Sequence, residues 1–340
     1  MSSARVLRSP YPWFGGKSRI MDQVWLRFGD VRNFVDPFLG SCAALLCRPN
    51  PFVGTETVND LDGFVANFWR AVQADPEAVA RYADWPVNEN DLHARHSWLV
   101  ARKDDLQSRL EGDPEWFDAK VAGWWVWGIS CWIGSGWCSG SGPWHVVDGR
   151  LVKVDGNAGR GVKRKLPHLG NAGQGVKRKL PHLGDAGRGV NRQHNLREYI
   201  GELSDRLARV RVCCGDWSRV CGSAVTTKQG LTAVFLDPPY SAEADRDNTL
   251  YRRESTTVAH AVREWAIEHG DDPMMRIALC GYEGEHAMPD GWECVAWKAH
   301  GGYGSQSVGQ GRSNARRERI WFSPHCLKPQ TNKPSLFTEV

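Results

Sequence analysis

AVFLDPPY, residues 233–240, joins four consecutive apolar residues to an acid, two prolines and a tyrosine. An apolar run without polar alternation is what a strand buried on both faces needs, and such strands belong to parallel sheets covered by helices. NFVD at 33–36 has the same form, and FVGTETVND at 52–60 reads as a further strand ending in an acid. From Leu61 to Gln73, Phe64, Phe68 and Val72 fall on one face of a helix, which Asp75-Pro76 ends. Leu196, Ile200, Leu203, Leu207 and Val210 mark a second amphipathic helix, leading into a strand near Val210–Cys214. Val258, Val262 and Trp265 mark a third, before the strand RIALCGY at 276–282. Strands alternating with helices on both sides of residues 76–195 predict an α/β protein, a doubly wound sheet interrupted by a large insertion. Residues 1–75 and 196–326 then form one discontinuous domain, 76–195 the insertion, and 327–340 a flexible tail.

Composition narrows the classes. With 41% apolar and 24% charged residues over 340 positions, disorder and a coiled coil are excluded. No 18-residue apolar window is present, so no transmembrane helix is expected. The start, MSSARVLRSPYPW, lacks the apolar stretch of a secretory signal. The ten cysteines show neither a CxxC pair nor a His/Cys array at zinc spacing, so reduced thiols in a cytosolic protein, and no metal, are expected.

The insertion has its own character. It contains GWWVWGISCWIGSGWCSGSGPW (123–144), whose tryptophans are read mainly as core. A 14-residue repeat follows: GNAGRGVKRKLPHL (156–169), GNAGQGVKRKLPHL (170–183) and the degraded copy GDAGRGVNRQ (184–193). The repeat carries nine basic residues and one acid, a local +8 in a chain of net +4, which leaves the rest mildly acidic. It reads either as a spacer loop or as a segment that neutralises phosphates without reading bases.

Chemistry concentrates at strand ends, where ligands of open α/β sheets bind. In Asp237-Pro238-Pro239-Tyr240, the prolines remove N–H donors and leave carbonyls beside a carboxylate. The result is a set of acceptors only, matched to the two N–H donors of an exocyclic amine, with Tyr240 offering a flat face for a base. DPFLGSC (36–42) makes a tight small-residue turn before a helix, suited to close approach of a ligand. PWFGGK (12–17) is a second small loop, ending in a cation. NDLD (59–62) puts carboxylates at a strand end, where ribose hydroxyls are gripped or a helix is capped; Asp60 and Asp62 share those two uses.

In this order, PWFGGK, DPFLGSC, NDLD, a variable insertion and DPPY resemble the Dam-type (D12 class) DNA adenine-N6 methyltransferases. The resemblance covers about 10–75 and 200–324. It implies a Rossmann-like doubly wound sheet of the S-adenosylmethionine-dependent methyltransferases with an inserted target-recognition subdomain. The implied reaction moves a methyl group from S-adenosylmethionine to the N6 amine of a flipped-out adenine in double-stranded DNA, in the cytoplasm of a bacterial host. Restriction protection, regulation and phage self-protection are all open as purposes. Carried over by position, Trp13, Gly15 and Lys17 lie at the methionine end of the cofactor. Asp36, Phe38 and Gly40 form its loop, Asp60 takes the ribose, and Asp216 and Trp217 meet its adenine. Asp237, Pro238, Pro239 and Tyr240 are the catalytic motif, and Arg316, Glu318 and Trp321 belong to the closing strand. The chain departs from the family at Cys42, where a second glycine is usual. It departs again at ISCWIGSGWC (129–138), which follows the start of target recognition only in outline, so no recognition site carries over. Rival readings are methylation of another amine, cytosine N4 or a glutamine side chain, and a non-catalytic DNA-binding protein on a decayed fold.

Overall fold

The computed structural model describes residues 7–13, 15–49, 53–132, 137–138, 144–147, 150–153, 192–240, 251–297 and 317–329. The basic repeat, except its last two residues, lies outside these, as does the tail beyond 329.

The first half runs α1 (Met21–Phe28), β1 (Asn33–Asp36), α2 (Ala43–Leu46), β2 (Thr55–Asp60) and α3 (Gly63–Ala74). The insertion then contributes α4 (Pro76–Ala83), α5 (Glu89–Val100), α6 (Lys103–Gly112) and α7 (Ala119–Cys131). An antiparallel pair follows, β3 (Trp144–Val147) and β4 (Arg150–Lys153). The second half runs α8 (Arg192–Leu207), β5 (Val210–Cys214), β6 (Thr232–Leu236), α9 (Tyr251–His269), β7 (Met275–Tyr282), β8 (Glu293–Ala296) and β9 (Glu318–Phe322).

Seven strands form one sheet in the order β5-β2-β1-β6-β7-β9-β8. The first five run parallel, and β9 lies antiparallel between β7 and β8. Inner strand β6 is buried at every position, as a run of TAVFL without polar alternation requires. Its side chains alternate between two cores. Val234 and Leu236 pack with Ile277, Leu279, Val262 and Ala266 under α9, while Ala233 and Phe235 join the larger core under α3 and α8. From β1 the chain steps outward through β2 to β5, then returns to β6 on the other side of β1. That reversal opens a crevice beyond the carboxyl ends of β1 and β6, the place where such sheets bind ligands.

Asp75-Pro76 does two jobs. It closes α3, and it opens α4, with the Asp75 side chain accepting from Ala78 N and proline in the first turn. The helices of the insertion are built into the main core: Val79 of α4 and Trp125 of α7 share one cluster with Phe64, Phe68 and Trp69 of α3 and Ile200 of α8. Gly123 permits the crossing of α4 and α7, because a Cβ there would lie 2.4 Å from the Tyr82 Cβ. Trp125 and Trp127 are fully buried, and Trp127 satisfies its indole N–H on the Trp85 carbonyl at 2.9 Å.

Candidate active site

The crevice is a cavity of about 550 Å³. Three loops build its walls. The first follows β1. Asp36 ends the strand, and the chain turns through Pro37, Phe38, Leu39 and Gly40 into α2. The turn is pinned to the end of β2: Leu39 N donates to Asn59 O and Gly40 N to Asp60 Oδ2, each at 2.8 Å. From the other side the Tyr11 hydroxyl donates to Gly40 O at 2.6 Å and accepts from Trp69 Nε1 at 2.9 Å. Gly40 has φ +45°, and a Cβ on it would stand 2.6 Å from Trp13 Nε1. Only glycine therefore lets the loop and Trp13 close on each other. Two residues later Cys42 holds φ +60° with its thiol buried, so a side chain occupies left-handed backbone where glycine costs least.

The second wall comes from β2 and β5. Asp62 is the N-cap of α3, accepting from Phe64 N at 2.9 Å. Asp60 turns toward the cavity, accepting from Gly40 N and, at 2.8 Å, from Asp62 N. A carboxylate has about four acceptor positions, so Asp60 retains capacity for a ligand. Burial foremost, then the charge of Asp62, pushes its carboxyl up to about 7. Asn59 Nδ2 donates to Pro37 O at 3.1 Å and Gly215 O at 2.9 Å, tying the walls together. Asn59 Oδ1 is buried with no hydrogen-bond partner among the described residues. After β5, Asp216 caps the 3-10 turn Trp217–Val220, and Trp217 stacks on Phe38 with centroids 6.2 Å apart and planes 26° apart.

The third wall follows β6. Asp237, Pro238, Pro239 and Tyr240 all line the cavity, and the Asp237 side chain is 22% exposed. Buried Asp36 faces it across the crevice; burial, then the charge of Asp237, raises the Asp36 carboxyl well above its ordinary value. Lys17, 4% exposed, places Nζ 3.1 Å from Asp237 Oδ1 and donates to Gly15 O at 2.9 Å. Burial, the largest single influence, would lower this ammonium, but Asp237, Cys280 and Glu318 together outweigh it and hold the group above the ordinary lysine value. The Tyr240 hydroxyl donates to Glu318 Oε2 at 2.9 Å, and its ring meets Tyr282 edge-on at 4.6 Å.

All thirteen site residues named from the sequence line this one cavity: Trp13, Gly15, Lys17, Asp36, Phe38, Gly40, Asp60, Asp216, Trp217 and 237–240. Glu318, placed by the sequence only in the closing strand, is also part of the wall, as are Asn59 and Tyr282. The signal for Glu318 was present as a lone acid one residue ahead of the apolar run IWF, at the start of a strand where burial forces it to find a partner. Among the described residues, five lining carboxylates, Asp36, Asp60, Asp216, Asp237 and Glu318, face a single lysine. Such a wall attracts a cation and hydroxyl donors.

A parallel-dominated sheet in this order, flanked by helices, is the Rossmann-like fold of S-adenosylmethionine-dependent methyltransferases. Residues 13–109 match the family model of the D12 class N6 adenine-specific DNA methyltransferases. The matched stretch takes in the first wall and the β2 part of the second up to Asp62 and continues into α6, while residues 215–217 and 237–240 lie beyond it. No curated protein matches the chain. Among the described residues no group of three or more His, Cys, Asp or Glu is placed to hold a metal, and the ten cysteines form no disulfide. No helix among the described residues is long and apolar enough to cross a membrane.

Proposed function

We propose that the chain methylates the N6 amine of adenine in double-stranded DNA, using S-adenosylmethionine. The observation that carries this reading is the junction of two chemistries in one cavity. An acidic, glycine-cradled pocket continues into the acceptor-only motif Asp237-Pro238-Pro239-Tyr240.

The cavity suits the cofactor on three counts. Its carboxylates complement a sulfonium cation, Gly40 leaves room beside Trp13, and the buried Asn59 Oδ1 awaits a donor. Trp13, Gly15 and Lys17 would hold the methionine end, Asp36, Phe38 and Gly40 the middle, Asp60 the ribose, and Asp216 and Trp217 the adenine. When bound, S-adenosylmethionine supplies an activated methyl group.

The protein's own part is to prepare the amine. An adenine N6 lone pair is delocalised into the ring and is a poor nucleophile. Asp237 and the Pro238 carbonyl accept its two N–H bonds, favour a pyramidal nitrogen and stabilise the positive charge that develops there. Tyr240 gives the base a face to stack on, and the positioning removes much of the entropic barrier. To reach the cavity the adenine leaves the duplex, as bases must for enzymes that act on them. Target recognition falls to the insertion 76–195, whose helices α4 and α7 are anchored in the main core. The basic repeat supplies phosphate contacts that strengthen binding on every sequence.

Asp237→Ala is the test. It should abolish transfer of labelled methyl to duplex DNA while calorimetric binding of the cofactor persists. Transfer at the wild-type rate by this variant would overturn the assignment.

A further inference from the structure

Lys17 stands between two carboxylates. Nζ is 3.1 Å from Asp237 Oδ1 and 3.8 Å from Glu318 Oε2. Glu318 is itself nearly buried, with its side chain 6% exposed. It heads β9, opposite Tyr282 of β7, and its Oε2 already accepts the Tyr240 hydroxyl. One residue thus touches both the lysine that occupies Asp237 and the ring proposed to stack on the base.

Two carboxylates for one buried ammonium, which also donates to Gly15 O, make a two-position arrangement. With Lys17 on Asp237, part of the acceptor is engaged by a cation, and that cation stands next to the place where an amine would gain positive charge. A movement of about 1 Å brings Nζ within hydrogen-bond distance of Glu318. It leaves the ammonium buried but still paired, which a buried charge requires.

We infer that Glu318 is a positioning residue: it takes up the Lys17 ammonium when a substrate amine donates to Asp237, leaving Asp237 an undivided acceptor. This rests on the proposed amine methylation at Asp237. Glu318 acts through Lys17 and not on the methyl group.

Glu318→Gln separates charge from shape, since the amide oxygen still accepts from Tyr240 but cannot hold an ammonium as a carboxylate does. Single-turnover methyl transfer by Glu318→Gln should fall by about tenfold or more, with affinities for S-adenosylhomocysteine and for DNA within about twofold of wild type. In a Lys17→Gln background the same change should have no further effect, because the residue it acts through is gone. The second readout does not depend on turnover. The ¹⁵N resonance of the Lys17 ammonium, assigned by its absence from Lys17→Gln, should move when wild type bound to S-adenosylhomocysteine receives a DNA duplex carrying methylatable adenine. In Glu318→Gln it should stay in place. Wild-type rates in Glu318→Gln, an unmoved wild-type resonance, or equal movement in both proteins would overturn the inference while leaving the methylation reading intact. Absence of any methyl transfer by wild type would defeat that reading, and the inference with it.

Discussion

Asp60 carries a pH signature that its proposed partner should expose. Burial and the neighbouring Asp62 raise its carboxyl from 3.8 to about 7. That span of about three units, at about 1.4 kcal/mol each, makes ionisation of Asp60 in the folded protein cost up to about 4 kcal/mol. The sign follows from the direction of the shift. The folded protein binds this proton more tightly than the unfolded chain does, so the stabilisation is complete below 3.8 and is lost as pH rises to about 7. Ligand binding should run the opposite way. Ribose hydroxyls donate best to the ionised carboxylate, so the dissociation constant for S-adenosylhomocysteine should fall about tenfold per pH unit below about 7 and level off above it. Asp60→Asn should remove that slope. It should also weaken binding above pH 7 by about tenfold or more, the worth of a hydrogen bond to a charged group. Isothermal titration calorimetry of both proteins across this range makes the comparison. A flat profile in wild type, or an unchanged slope in Asp60→Asn, would refute the placement of the ribose on Asp60.

Two further outcomes test the loop around Gly40. At Cys42, with φ +60°, the usual order of glycine and alanine should invert: Cys42→Gly should be more stable than Cys42→Ala by about 1 kcal/mol in urea denaturation, whereas at an ordinary helix position glycine is the worse by a similar amount. Tyr11→Phe strands the Gly40 carbonyl and the Trp69 indole N–H, both buried, and should cost about 2 kcal/mol by the same assay, with weaker cofactor binding because the loop loses its tether.

Legibility in the sequence followed the range of the interactions. Strands β1, β6 and β7 were readable because their apolar runs are buried on both faces, and α3 because Phe64, Phe68 and Val72 share one stripe. Most cavity residues were readable because they sit at a strand end or on the short loop after it, and Trp13, Gly15 and Lys17 because they share one small loop ahead of α1, so local order already carried their position. Long-range effects were less visible. Asp60 and Asp62 both suited a cap; only the path of the chain gives Asp62 to Phe64 N and turns Asp60 to Gly40 N. Glu318 reaches the site through the pairing of β9 with β7, which no local pattern announces. The insertion looked separable at Asp75-Pro76. The close approach of α4 and α7 at Gly123, which seats both in the main core, is a tertiary fact that a Trp-rich run with little amphipathic contrast conceals.

The most direct test is the chemical identity of the product. Duplex DNA treated with the wild-type protein and S-adenosylmethionine, then digested to nucleosides and resolved by mass spectrometry, should contain N6-methyldeoxyadenosine. Methyl groups found on cytosine N4 instead, or on no nucleoside at all, would contradict adenine methylation at Asp237.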